Sequence, residues 1–169
     1  MQTYLKERGL ESETIKGFHL GFATDGWRNL SDYLKKRGVS ENDAEKAGLL
    51  IKGDKGYYDR FRGRIMFPFL DYSGRIIGFS GRILPGSPDE DTTGKYINSP
   101  ETPLFNKSRV FYCLDRAKYS IRETGKMLLV EGQLDVLLSH QVGTKNVVAV
   151  SGTALTDEHI KIIRRMVEH

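Results

Sequence analysis

The sequence predicts an α/β fold, with an α+β first part followed by the start of a parallel, Rossmann-like arrangement. Three observations predict it. Residues 1–50 carry short helical patterns closed by glycines. Residues 57–84 switch to a period of two, and residues 125–169 alternate short apolar runs with helical ones in the order βαβα. Charged residues at 28% and hydrophobic residues at 38% describe an ordinary globular chain. A chain of 169 residues needs no disulfide or structural metal to bury a core.

The helical pieces come first. Tyr4 to Arg8 and Ser12 to Lys16 are broken by Gly9 and Gly17. Asn29 or Ser31 is placed to cap a helix running to Arg37, and Ser40 with Asp43 resembles a capping box for a helix ending near Gly48. Gly53-Asp54-Lys55-Gly56 then reads as a turn between two short strands.

From Arg60 to Phe69 the chain alternates. Phe61, Ile65, Phe67 and Phe69 fall on one face, and Arg60, Arg62 and Arg64 on the other. Tyr72-Ser73-Gly74 turns the chain into a second strand, Arg75 to Leu84. The pattern predicts an antiparallel hairpin with an apolar inner face and an arginine-bearing outer face. Residues 85–94 read as a polar, mobile loop, Lys95 to Asn98 as extended chain, and Ser99 to Pro103 as a stiff turn. Arg109 to Tyr112 reads as a short strand and Leu114 to Arg122 as a helix.

In the last segment Lys126 to Val130 is a continuous apolar strand, as expected where helices cover both sheet faces. A helix follows over Leu134 to Gln141, then a buried strand over Asn146 to Val150. Thr156 caps a last helix whose acids precede its bases, the order that suits a helix dipole.

Charge points to an anionic partner. The net charge is +4, and residues 60–82 hold five arginines against the single Asp71. The arginine face can bind phosphates along a nucleic-acid strand, or it can be a solvated edge whose charges discourage aggregation; the pattern leaves both open. Interleaved Tyr57, Tyr58, Tyr72 and Tyr96 suit the stacking of single-stranded bases. Lys95, after a glycine-bearing loop, can reach a triphosphate, and Tyr96 can stack on a base or sugar.

A second candidate is acidic. Glu131 follows a predicted parallel strand, where ligands of such sheets bind, and Gly132 admits close approach to the backbone. A carboxylate there can hold Mg²⁺ or act as a base. Asp135 is a second candidate metal ligand, although an acid in a first helical turn also stabilises the dipole unaided.

Other classes lose their support. Cys113 is the one cysteine, which excludes a cysteine-based zinc site, and His19, His140, His159 and His169 lack ligand spacing. No Gly-x-Gly-x-x-Gly follows a strand, Gly125-Lys126 is followed by Met127 rather than Ser or Thr, and no catalytic triad pattern is present. Gly152-Thr153 can cup an anion or simply turn. No apolar run is long enough to cross a bilayer and no signal-peptide pattern opens the chain, so a cytoplasmic setting is expected.

Five motifs in order carry a specific resemblance. They are Arg60-Phe-Arg-Gly-Arg-Ile-Met-Phe-Pro68, Gly74-Arg-Ile-Ile-Gly-Phe-Ser-Gly-Arg82, Lys95-Tyr-Ile-Asn-Ser-Pro-Glu-Thr102, Val130-Glu-Gly-Gln-Leu-Asp-Val136 and Ser151-Gly-Thr-Ala-Leu-Thr156. With Tyr4–Leu10 and Gly21-Phe22-Ala23, the chain resembles the RNA-polymerase (catalytic core) domain of bacterial DnaG-type DNA primase over its whole length.

The resemblance implies a nucleotidyltransferase of DNA replication, a DNA-directed RNA polymerase of the primosome. It would make short RNA primers on a single-stranded DNA template from ribonucleoside triphosphates. A basic subdomain at residues 1–124 would form a groove with a TOPRIM subdomain beginning at residues 125–169. Glu131 falls on the family's metal-site glutamate, with Mg²⁺ or Mn²⁺ as cofactor in the complete parent site. Arg62, Arg82, Lys95, Tyr96, Asn98, Lys107 and Arg109 fall on its nucleotide- and template-contacting positions, beside the pattern's Arg60 and Arg64.

Gln133 and Leu134 replace the usual aromatic and methionine. The Asp-x-Asp metal motif is expected after the last helix, beyond His169, so the chain alone is expected to be inactive. The family's zinc-binding domain and C-terminal domain that docks the replicative helicase are not represented; no zinc and no membrane contact are expected. The alternative is a non-catalytic, single-stranded nucleic-acid-binding module of TOPRIM type. Another TOPRIM enzyme, a topoisomerase or nuclease, would not carry the hairpin and the Lys95–Thr102 segment.

Overall fold

A computed structural model describes residues 1–87, 90, 93–150, 152 and 154–167. The expected 85–94 loop and the Gly152-Thr153 turn fall partly outside the described residues. The chain opens with α1 (Gln2–Glu7), α2 (Ser12–Gly17), β1 (Gly21–Ala23), α3 (Asn29–Lys36) and α4 (Glu41–Lys46). Strands β2 (Leu50–Gly53), β3 (Gly56–Asp59), β4 (Arg64–Leu70), β5 (Ile76–Ile83) and β6 (Tyr96–Asn98) follow. It closes with α5 (Leu114–Thr124), β7 (Leu128–Val130), α6 (Gln133–Gln141), β8 (Val147–Ala149) and α7 (Asp157–Met166). The fold is α/β, as expected, with a parallel pair in the last segment.

These elements form two compact units. One comprises Met1, Leu20–Phe67 and Gly78–Phe105; the other comprises Gln2–His19, Pro68–Ile77 and Asn106–His169.

In the first unit, local signals work where the partner is close in sequence. Ser40 caps α4: its hydroxyl accepts the Asp43 amide at 3.0 Å and donates to the Asp43 carboxylate at 2.7 Å. The turn at residues 53–56 closes the β2–β3 ladder, which pairs Leu50 with Asp59 and Gly53 with Gly56. Neither Asn29 nor Ser31 caps α3. The Arg28 N-cap position makes no side-chain cap, and the amides of Leu30 and Ser31 instead donate to the carboxylate of Asp59, at 2.7 and 2.9 Å. Asp59 is 3% exposed, so a strand supplies the buried anion for a helix N-terminus.

Two expectations change here. Gly21–Ala23, inside a stretch read as helical, is a strand that pairs antiparallel with β4, Gly21 opposite Met66. Three residues are too few for periodicity to register. The hairpin strand begins at Arg64 rather than Arg60, because Gly63 takes a left-handed φ of +59° that breaks the extended run. The sheet order is β1-β4-β5-β6, so β4 and β5 are both interior strands. Leu50, Phe61, Ile65, Phe67, Ile83 and Phe105 are buried around them. The arginine-bearing outer face is covered at two of its arginines: Arg64 is 3% exposed and Arg82 is 8% exposed.

The second unit is centred on β8, buried throughout. Phe111, Ala117, Ile121 and Val148 form its core, with Ile162, Ile163 and Met166 of α7 packed on them. From α6, Val136 and Leu137 are fully buried. Strand β7 runs parallel to β8, Leu128 opposite Val147 and Val130 opposite Ala149. The expectation that β7 is covered on both faces fails: Leu128 is 48% and Leu129 41% exposed. Among the described residues β7 pairs on one side alone, whereas β8 also meets Tyr112 in an isolated antiparallel bridge. That bridge is all the strand structure in residues 109–112. The Asn106 carbonyl and side chain accept the amides of Arg109 and Ser108 at 3.0 and 2.9 Å, which makes the preceding residues a turn.

Thr156 caps α7 as expected. Its hydroxyl accepts the His159 amide at 3.2 Å, and His159 completes a capping box through its ring, which stands 3.3 Å from the Thr156 amide. Burial pushes the pKa of His159 below its ordinary value of 6.5, against the opposing effect of hydrogen bonds to the Val110 and Lys107 backbone. His140 is lowered too, first by burial. A histidine with a depressed folded pKa stabilises the fold fully above its unfolded pKa, and that stability is lost as pH falls through the folded value. Denaturant unfolding should therefore give a free energy that declines from about pH 7 to about pH 5, and His159→Gln should flatten the decline. A slope unchanged by the substitution would contradict this account.

Candidate functional site

The sequence-predicted residues fall in both units. In the second, Glu131 lies just past β7 and Gly132 is the N-cap position of α6. Glu131 and Asp135 are both exposed. A Cβ at Gly132 would stand 3.0 Å from Oδ2 of Asp135, so glycine there lets that carboxylate fold back over the helix start. Two exposed carboxylates at the carboxyl end of a parallel strand are hard oxygen donors of the kind Mg²⁺ or Mn²⁺ takes. Among the described residues no group of three or more His, Cys, Asp or Glu side chains is placed to hold a metal.

Lys107 is half-buried in the turn that opens at Asn106, and Arg109 is exposed, 3.6 Å from Glu158. The first turn of α7 fixes this turn. The Thr156 hydroxyl donates to the Ser108 carbonyl at 2.7 Å, and Nε2 of His159 stands 3.2 Å from the Val110 carbonyl. Cys113 is not chemically poised: it is buried, and burial, then Asp115, pushes its thiol up to about 12.

In the first unit the predicted cations divide. Arg60 is half-buried; burial lowers its pKa, opposed by Tyr58, and its Nε has no hydrogen-bond partner among the described residues. Arg62 donates to the Asp59 carbonyl at 2.5 Å, and its guanidinium lies 4.1 Å from the Trp27 ring and 5.5 Å from that of Tyr58. Trp27 itself packs edge-on to Tyr58 and is 63% exposed. The result is an open aromatic ring with a cation fixed beside it.

Arg64 and Arg82 are turned inward. Arg64 bonds to backbone carbonyls, and Arg82 donates to the Tyr96 hydroxyl at 2.9 Å. Tyr96 and Asn98 sit on β6, paired with Arg82 and Ser80. Lys95, immediately before β6, is exposed.

Sequence reasoning missed Trp27. Its signal was thin: one tryptophan, in Gly26-Trp27-Arg28, within a stretch that reads as packing helices. Asp59 was missed as well, since the amides it holds come from residues 30 and 31.

The first unit carries basic and aromatic side chains, and the second an exposed acidic pair at a strand end. Known proteins show the family. Residues 1–118 match the model of the DNA primase catalytic core, N-terminal domain, and residues 125–169 match that of the Toprim domain. The chain belongs to the bacterial DnaG-type DNA primase family.

It is 48% identical over 166 residues to the DNA primase of Staphylococcus aureus, covering 97% of this chain and 27% of that protein. Its fold is similar to the RNA polymerase domain of Mycobacterium tuberculosis primase DnaG, with a TM-score of 0.92 and 36% identity over 99% of this chain and 54% of that one. A DnaG primase catalytic domain bound to single-stranded DNA is also similar, with a TM-score of 0.84 and 41% identity over 98% of this chain and 50% of that one. The chain thus spans about a quarter of the curated relative's length and about half of each solved structure. Among the described residues no helix is long and apolar enough to cross a membrane.

Proposed function

We propose that this chain is part of a DNA primase, supplying template and nucleotide contacts and the first metal carboxylate. In this reading the parent protein lays down short RNA primers on single-stranded DNA from ribonucleoside triphosphates during replication. It works in the cytoplasm, within the primosome, beside the replicative helicase. The observation that carries the reading is the exposed Trp27 ring with Arg62 fixed 4.1 Å away, a stacking platform with its own cation. The DNA-bound relative supports the same ligand class.

The division of labour follows the chemistry. Residues 1–124 act as the basic subdomain: Trp27, Tyr58, Arg60 and Arg62 track template bases and phosphates, and Lys95, Tyr96 and Asn98 take the incoming nucleotide. Lys107 and Arg109 add phosphate contacts from the turn that α7 holds. Residues 125–169 begin the TOPRIM subdomain, where Glu131, with Asp135 near it, would hold Mg²⁺ or Mn²⁺. Bound there, such an ion would stabilise negative charge on the 3′-hydroxyl oxygen that attacks the α-phosphate and on the pyrophosphate that leaves. Glu131 contributes an oxygen ligand fixed at a strand end. The 169-residue chain alone is expected not to synthesise primers.

A chimera tests this. In it, this chain replaces the 166 matching residues of the S. aureus primase. Primer synthesis on a single-stranded template should survive, and Glu131→Gln should lower it by roughly two orders of magnitude, the scale of losing a group that fixes transition-state charge. A folded chimera that makes no primers, or a Glu131→Gln form that keeps full activity, would refute the proposal.

A further inference from the structure

Arg64 has the wrong environment for a ligand-binding cation. It opens β4, opposite Ala23 of β1, and is 3% exposed. Its Nη1 donates to the carbonyls of Gly81 at 3.1 Å and Gly94 at 3.0 Å, and its Nη2 donates to the Thr93 hydroxyl at 2.9 Å. Three acceptors from two separate segments converge on one planar fork. A guanidinium meets such an arrangement, and the point charge of a lysine does not. The sheet leaves room for it: a Cβ at Gly81 would lie 3.0 Å from Cδ of Arg64 and 2.7 Å from the Phe61 ring.

What this fork holds is the approach to Lys95. The Gly94 carbonyl, one peptide before Lys95, is tied to Arg64, and the Lys95 carbonyl accepts the Ile83 amide at 3.0 Å. The next residue, Tyr96, pairs with Arg82 in the ladder and takes its hydrogen bond through the phenol. The backbone of Lys95 is therefore gripped on both sides while its side chain stays exposed. Without Arg64, residues 93–95 would keep the Ile83 bond to β5 but lose the tie that Arg64 makes to β4.

We propose that Arg64 is a positioning residue: it fixes the segment entering β6 so that Lys95 and Tyr96 meet the nucleotide, and it touches neither nucleotide nor DNA itself. This rests on the proposed nucleotide role of Lys95 and Tyr96.

The test uses the whole chain, with ATP and a twelve-residue oligo-dT as probes. Arg64→Lys keeps the charge but puts a single nitrogen where acceptors are placed for both Nη1 and Nη2 of a planar fork. Thr93→Val removes one acceptor and leaves the sheet interior untouched, which covers the case of a misfolded Arg64 variant. Lys95→Ala and Arg62→Ala are the comparisons. In Arg64→Lys, hydrogen exchange at the Ile83 amide, which donates to the Lys95 carbonyl, should accelerate about tenfold, and the ATP Kd should rise about as much as in Lys95→Ala. Thr93→Val should shift both in the same direction by less. Oligo-dT affinity and its salt slope should stay within twofold of the parent chain in Arg64→Lys, and fall in Arg62→Ala.

An Arg64→Lys chain with a reduced salt slope would make Arg64 a direct phosphate contact and overturn the proposal. Unchanged exchange, or unchanged ATP binding beside accelerated exchange, would overturn it too. A parent chain that binds oligo-dT but no ATP would remove the nucleotide role of Lys95, and this role of Arg64 with it.

Discussion

Trp27→Ala should weaken binding of single-stranded DNA by about tenfold or more, because the loss of a stacked aromatic costs roughly 1–3 kcal/mol per base. The ring is exposed, so its removal leaves no cavity, and thermal stability should hardly change. Arg62→Ala should cost a similar amount for a different reason. It removes the cation proposed to meet a template phosphate, which is also the group that sits over the Trp27 ring. The two losses should be less than additive, since each side chain orients the other. Anisotropy of a labelled oligonucleotide measures both singles and the double variant; full additivity would mean that the pair does not act as a unit.

Asp59→Leu should produce the largest loss of stability. The buried carboxylate accepts two amides at the start of α3, and an apolar replacement leaves both donors without a partner. Buried unsatisfied amides cost about 1–3 kcal/mol each. A total near 3 kcal/mol corresponds to a fall in Tm of about 10 °C for a chain of this size. Asp59→Asn, which keeps one acceptor, should cost less. Calorimetry that found Asp59→Leu as stable as the parent chain would show that the carboxylate is not what starts α3. The effect also reaches the interface, because the Asp59 amide donates to the Trp27 carbonyl at 2.8 Å and its carbonyl accepts from Arg62.

The difference between these residues and the ones legible beforehand is one of range. Ser40 and Thr156 could be read as caps because their partners lie three residues on. The strand-end position of Glu131 followed from an apolar run, a glycine and a helical pattern in immediate succession. Asp59 could not be read so: its helix begins some thirty residues earlier, and nothing local distinguishes it from an ordinary turn acid. The arginines of the hairpin show a different limit. A period of two separates Ile65 and Phe67 from Arg64, but it does not say whether the second face is open. Pairing on both edges and the returning 93–95 segment cover Arg64, and only tertiary structure supplies them. Strand β7 fails in the opposite sense, since an apolar run alone does not bring neighbours to both faces.

The family resemblance was legible because five motifs stand in order along the chain. On the proposed function, Trp27 and Arg62 form a track for single-stranded DNA in this chain alone. Because Trp27 is the one tryptophan, its fluorescence reports occupancy directly. The measurement is a titration of the 169-residue chain with a single-stranded oligonucleotide at salt concentrations from about 20 to about 200 mM. The account predicts saturable quenching, with log K falling against log [salt] at a slope of about −2 or steeper. No quenching at the lowest salt, or an affinity indifferent to salt, would contradict it.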